Sequence, residues 1–213
     1  MAHLSENLVS IPVDGVELEG DLRLPEDATG LVVFAHGSGS SRKSPRNNYV
    51  AEVLRDHGLG TLLFDLLTEA EDETYETRFD IDLLTTRLLA ATDWLRRRDD
   101  TAGLNLGYFG SSTGAAAALQ TAAVRGDDAG AVVSRGGRVD LATDELPDVT
   151  APTLFIVGGA DTQVLELNRQ ARTKLACPND LRVVEGAGHL FEGAGELETV
   201  GDLAAEWFER HLS

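Results

Sequence analysis

Gly110-Ser111-Ser112-Thr113-Gly114 sets two adjacent serines between two glycines, after an apolar run and before an alanine run. With Ser112 at its centre the segment fits G-x-S-x-G. In that pattern a nucleophilic serine sits on a sharp strand-to-helix turn, and its strained backbone requires small residues two positions either side. Gly110 and Gly114 supply them. The turn exposes the central hydroxyl and leaves the amide of Thr113 at a helix N-terminus, where it can help stabilise an oxyanion. Ser111 is expected to point elsewhere and to be structural. A plainer reading stays open at this point, with Ser112 as an ordinary N-cap for the helix that follows.

A nucleophilic serine needs a base, an acid to orient that base and a second oxyanion donor. The base should be a histidine after the last strand. Of five histidines only His189 fits, in the glycine-rich "VVEGAGHLF". His3 and His211 lie near the termini, and His57 ends a helix, where a cation is favourable. The acid should follow the preceding strand, and "TLFIVGGADTQV" delivers Asp161 there. A helix N-cap is the alternative use for Asp161. Asp65 is the rival acid, ranked lower because its place breaks the order Ser, Asp, His. The second donor should come from "HGSGSS" (36–41), where the backbone amide of Ser38 can approach the reacting oxygen. The oxyanion hole is therefore assigned to the amides of Ser38 and Thr113, with His36 holding its loop by a hydrogen bond.

These residues need strands to carry them. "LVSIPVDGVELEGDLRLP" reads as a hairpin about Asp14-Gly15. "LVVFAHG", "LGTLLFDL", "LNLGYFG", "GAVVSRGG", "APTLFIVGGAD" and "DLRVVEGAGH" read as further strands. Helical patterns fall in "NYVAEVLRDHG", at about 77–98, 112–124 and 162–176, and at 196–212, with an acidic loop "TEAEDETYE" between. Buried strands alternating with helices predict an α/β fold: a mostly parallel sheet covered on both faces, as one domain over residues 1–213. Reactive residues in such sheets gather at the carboxyl ends of the strands. Those are the positions of the loops named above.

Composition narrows the partners. Thirty-six acidic residues against eighteen basic give a formal charge of −18, with only Lys43 and Lys174 among the lysines. Such a chain repels polyanions, so no nucleic-acid partner is expected. The balance suits a protein built for high salt; an acidic chain from an arginine-favouring genome would share it. No apolar stretch reaches bilayer length, the N-terminal segment lacks the pattern of a secretory signal, and a cytoplasmic location is expected. One cysteine, Cys177, excludes an intrachain disulfide.

From "LVVFAHGSGSS" through "GYFGSSTG" and "PTLFIVGGAD" to "GAGHLF", the sequence resembles the α/β-hydrolase superfamily and, within it, the dienelactone hydrolase-related group. The resemblance covers nearly the whole chain. It implies an α/β-hydrolase fold with Ser112, Asp161 and His189 as catalytic residues. Dienelactone hydrolases proper are known for a cysteine nucleophile; this chain has serine there, and Cys177 lies elsewhere. Serine esterase activity on small soluble esters is the expectation. Thioesterase or acyltransferase activity on the same fold is the alternative, and a non-catalytic binding protein is a further one. The short segment between Ser134 and Pro152 leaves no room for a helical cap domain, so the site should be open. No metal or organic cofactor is expected.

Four arginines fall on loops expected to rim the site: Arg42, Arg46, Arg135 and Arg138. Arginine grips carboxylate or phosphate in a fork, which would suit a substrate with an anionic group. Pairing with surface Asp and Glu is the competing reading and is slightly favoured. Oligomeric state is not readable.

Overall fold

The computed structural model describes residues 7–213. His3 and the start of the N-terminal segment read above lie outside them. Eight strands form one sheet: β1 (Asn7–Val13), β2 (Val16–Arg23), β3 (Gly30–Ala35), β4 (Leu59–Phe64), β5 (Asn105–Ser111), β6 (Ala129–Arg135), β7 (Thr153–Gly158) and β8 (Asn179–Val184). Their order across the sheet is β1-β2-β4-β3-β5-β6-β7-β8. The β1–β2 hairpin and its junction with β4 are antiparallel; every other pair is parallel. The hairpin turns at Asp14 and Gly15, both at positive φ, the backbone that a tight two-residue turn demands.

Six helices accompany the sheet: α1 (Pro45–Asp56), α2 (Glu69–Asp72), α3 (Ile81–Arg96), α4 (Thr113–Arg125), α5 (Thr162–Arg172) and α6 (Glu196–Leu212). Helices α3 and α4 pack together on one face, α1 and α6 on the other. Two main apolar cores result, beside a small cluster of Val157, Val164 and Leu165 under α5. One joins Leu31, Val33, Tyr108 and Val132 to Leu84, Leu88 and the alanines of α4. The other joins Phe34, Phe109, Val133 and Ile156 to Val50, Leu54, Val200, Ala204 and Phe208. Strands β3, β4 and β7 are buried along their whole length, which is why they read as unbroken apolar runs. No helix among the described residues is long and apolar enough to cross a membrane.

Several boundaries differ from the sequence reading, among them the start of α1, which is Pro45 rather than Asn48. The long helix begins at Ile81, because the Asp80 carboxylate accepts the amide of Leu83 and caps it there; Thr77–Phe79 is a separate 3-10 turn. The acidic loop contains α2, a single turn held by a capping box in which Thr68 and Glu71 exchange hydrogen bonds. Helix α5 stops at Arg172, where its buried face (Val164, Leu165, Asn168, Ala171) runs out. Between β6 and β7 the chain makes two 3-10 turns and carries no cap domain.

Candidate active site

Ser112 stands alone between the end of β5 and the start of α4, with φ 51° and ψ −119°. A positive φ is rare and strained for a side chain of this kind. The surroundings impose it. The Ser112 amide donates to the carbonyl of Arg135 at 3.2 Å, and its carbonyl accepts from Ala115 at 3.1 Å and Arg138 at 3.0 Å. The flanking glycines allow the close packing: a Cβ on Gly110 would overlap the Cα of Ala115, and one on Gly114 would overlap the carbonyl oxygen of Ala35. A Cβ on Gly37 would come within 3.2 Å of the Ser112 Cβ. Although Ser112 occupies the N-cap position of α4, its side chain makes no cap hydrogen bond. Ser111 is buried, and its hydroxyl donates to Asn47 Oδ1 at 3.0 Å.

Asp161 repeats this pattern at another helix. It occupies the N-cap position of α5, again with no side-chain cap hydrogen bond. Its Oδ2 instead lies 2.6 Å from His189 Nδ1. The loop bearing His189 crosses β7 so closely that a Cβ on Gly158 would overlap the carbonyl of Ala187. The imidazole stands over Gly136, 3.3 Å from where a Cβ there would be. Asp65, the rival acid, is occupied elsewhere: it accepts from the Arg42 amide at 2.8 Å and from the Arg42 guanidinium at 3.2 Å.

The loop after β3 is fastened at two points. His36 Nε2 accepts the amide of Leu66 at 3.0 Å, which leaves the proton on Nδ1 to be donated to the carbonyl of Gly37 at 2.9 Å. Burial lowers the pKa of this imidazole, against weaker pulls from the Gly37 carbonyl, Asp65 and Asp72. Ser38 donates its amide to Thr113 Oγ1 at 2.9 Å. The structure thus brings Ser38 and Thr113 together, with the Ser38 amide turned onto the Thr113 hydroxyl. The sequence reading used only the backbone of Thr113 and missed its side chain. It also missed Phe191, two residues after His189, which is buried at φ 53° and roots the histidine loop in the core. An aromatic residue inside a glycine-rich loop was the available signal.

The four arginines separate. Arg42 pairs with Glu19 and Asp65, and Arg138 forks onto Asp140. Arg46 reaches Glu192 at 3.8 Å. Arg135 is buried and has no such pair among the described residues. A cleft of about 540 Å³ opens on the outer side of the His36–Lys43 segment, lined by Glu17, Glu19, Asp65 and Glu69 among others. Neither Ser112 nor His189 lines it. Cys177 lies beside Thr153 at the start of β7, the opposite end of the sheet from Ser112, and burial raises its pKa. Among the described residues no group of three or more His, Cys, Asp or Glu is placed to hold a metal.

The model of the dienelactone hydrolase family matches residues 60–209. A dienelactone hydrolase from Anabaena variabilis has a crystal structure that superposes with a TM-score of 0.96 at 54% identity, over 99% of each chain. Est1E from Butyrivibrio proteoclasticus shares the fold, with a TM-score of 0.82 at 18% identity over 96% of this chain and 98% of that one. Two Mycobacterium tuberculosis proteins, which carry the provisional name phosphoribosyl transferase, are 54% identical over 209 residues. The match takes in 98% of this chain, which spans about half (47%) of their length.

Proposed function

Because the chain belongs to the dienelactone hydrolase family, we propose that it is a serine hydrolase that cleaves small carboxylic esters through an acyl-enzyme on Ser112. One observation carries the reading. Ser112 and Asp161 both hold helix N-cap positions, and neither side chain caps its helix. The Asp161 carboxylate is given to His189 instead. A serine forced into a strained backbone with its hydroxyl free of structural duty is the arrangement a nucleophile requires.

In the reaction His189 Nε2 takes the proton of Ser112 as Oγ attacks the acyl carbonyl. Asp161 fixes the imidazole with Nε2 facing the serine and stabilises the imidazolium that forms. The Thr113 amide at the head of α4 faces the developing oxyanion. The Ser38 amide, held against the head of α4 by the Thr113 hydroxyl, is the second donor and shares its proton with the oxyanion as that forms. His189 then gives its proton to the leaving alcohol, and water activated by the same histidine releases the acid. The Ser112–His189 hydrogen bond closes when substrate is bound, as catalytic contacts often do. The uncapped segment between β6 and β7 favours small soluble esters over interfacial lipids. The name of the M. tuberculosis relatives describes proteins about twice as long; the chemistry proposed here concerns the half they share.

A panel of p-nitrophenyl esters and matched thioesters tests the reading in wild type, Ser112→Ala and His189→Ala. Ester turnover lost in both variants supports it. Turnover retained in Ser112→Ala contradicts it.

A further inference from the structure

The segments that carry the proposed triad converge on one turn, Gly136-Gly137, just after β6. Ser112 is bonded on both sides of it: its amide donates to the carbonyl of Arg135, and its carbonyl accepts from the amide of Arg138. His189 stands over Gly136. The Gly136 amide donates to the carbonyl of Ile156 on β7 at 2.8 Å. Gly137 is packed so tightly that a Cβ would overlap Ser134 Oγ and Ala115 Cβ. The turn is therefore a fixed point beside both the nucleophile and the base.

Asp161 is joined to this point by α5. Ahead of Asp161 the chain is tied to the histidine loop, where the Ala160 amide donates to the carbonyl of Ala187 at 3.0 Å. Behind it comes Asn168, seven positions on and so about two turns along the same helix face. Asn168 Nδ2 donates to the carbonyl of Gly137 at 3.0 Å and to that of Val164 at 2.8 Å. Among the described residues it is the one side chain of α5 with a hydrogen bond to the turn.

The chemistry of Asn168 is out of keeping with its place. It is fully buried, and the other buried residues of α5 are Val164, Leu165 and Ala171. Its Oδ1 is buried without a hydrogen-bond partner among the described residues. A buried oxygen left so is costly, so filling the space does not by itself call for an amide. What the amide adds is direction. The apolar cluster under α5 is small, with Val157, Val164 and Leu165 as its buried members. Apolar contact of this kind is non-directional and fixes no reach along the helix axis. A hydrogen bond has a set length and angle.

We propose that Asn168 is a positioning residue. By pinning α5 to the carbonyl of Gly137, it holds Asp161 at the reach and angle that bring Oδ2 to 2.6 Å from His189 Nδ1. It touches no reacting group and acts through the helix. The proposal rests on the reading of Ser112, Asp161 and His189 as a triad.

The test uses the full chain and p-nitrophenyl acetate. Asn168→Leu fills similar space without the amide. It is expected to lower kcat about ten- to hundredfold, with KM within about twofold of wild type. In an Asp161→Asn background the same substitution should lower kcat no further, because its effect passes through the carboxylate. Proton NMR gives a readout independent of turnover. The low-field resonance of the His189 Nδ1 proton, assigned by its loss in His189→Gln, should move or broaden in Asn168→Leu. Val164→Ala opens a gap in the same helix contact and keeps the amide. It should lower the melting temperature and leave kcat and the resonance as in wild type. If Asn168→Leu does not fold, Asn168→Ala takes its place with the same expectations. Unchanged kcat and resonance in the Asn168 variant, a further loss of equal size in the Asp161→Asn background, or the same kcat loss in Val164→Ala would overturn the proposal. Full turnover in Ser112→Ala or Asp161→Asn would instead overturn the triad reading. The resonance would still report whether Asn168 holds the Asp161 carboxylate to His189.

Discussion

Asp161 Oδ2 and His189 Nδ1 meet at 2.6 Å, although 28 residues separate them and Asp161 stands where it could have capped α5. The aspartate serves the histidine rather than the helix. Asp161→Asn therefore keeps the helix and changes the imidazole, offering Nδ1 an amide that can stabilise the wrong tautomer. The expected result is a loss in kcat on the order of 10³- to 10⁴-fold, with thermal stability within about 1 kcal/mol of wild type. Steady-state kinetics beside a denaturant titration check both halves.

Thr113 Oγ1 accepts the amide of Ser38 and thereby holds the loop after β3 against the head of α4. Thr113→Val keeps the shape and removes the acceptor, and Thr113→Ser restores it. The valine variant is expected to lose about 10- to 100-fold in kcat with little change in KM, and the serine variant to recover most of it. Equal activity in both variants would show that the loop needs no such tie.

Gly114 lies so close to β3 that any side chain would overlap the carbonyl oxygen of Ala35. Gly114→Ala is expected to cost about 3 kcal/mol or more, or to prevent folding. Gly103 has open space around the same position, and Gly103→Ala should stay within about 0.5 kcal/mol of wild type. Urea midpoints compare the two.

His36 is neutral in the fold, with both ring nitrogens committed and its pKa lowered by burial from the ordinary 6.5. The unfolded chain therefore takes up this proton before the folded one does. Stability should be fully present above the unfolded pKa and fall as pH drops from about 7 to 5. His211 is shifted the same way by burial and Arg210, so a His211→Gln background isolates the effect. In molar salt, unfolding free energies across this range should slope for His36 and flatten in His36→Gln.

Much of the site was legible because its signals are local. Gly110, Ser112 and Gly114 show the elbow by spacing alone, and Asp161 and His189 follow their strands in the order such a sheet requires. The Asp14-Gly15 turn and the limits of α6 at Glu196 and Leu212 were equally plain, since each rests on turn chemistry or a 3.6-residue period. What was hidden depends on residues far apart in the chain. Thr113 and Ser38 are 75 positions apart, and nothing in either segment says that an amide will turn onto a hydroxyl. The fate of the four arginines was likewise a matter of neighbours. Arg138 found Asp140 two residues away, whereas Arg135 was carried by the sheet to a buried place where no carboxylate of a described residue pairs with it. The Thr68–Glu71 capping box was local and readable; the acidic run around it drew attention to charge instead of spacing.

The central claim is that Ser112 is a nucleophile activated by His189. Incubation with a fluorophosphonate probe in molar salt, followed by peptide mass spectrometry, tests it most directly. The account predicts one adduct, on Ser112, absent in Ser112→Ala and formed far more slowly in His189→Ala. A folded protein that takes no label, or takes it equally fast in His189→Ala, would contradict it.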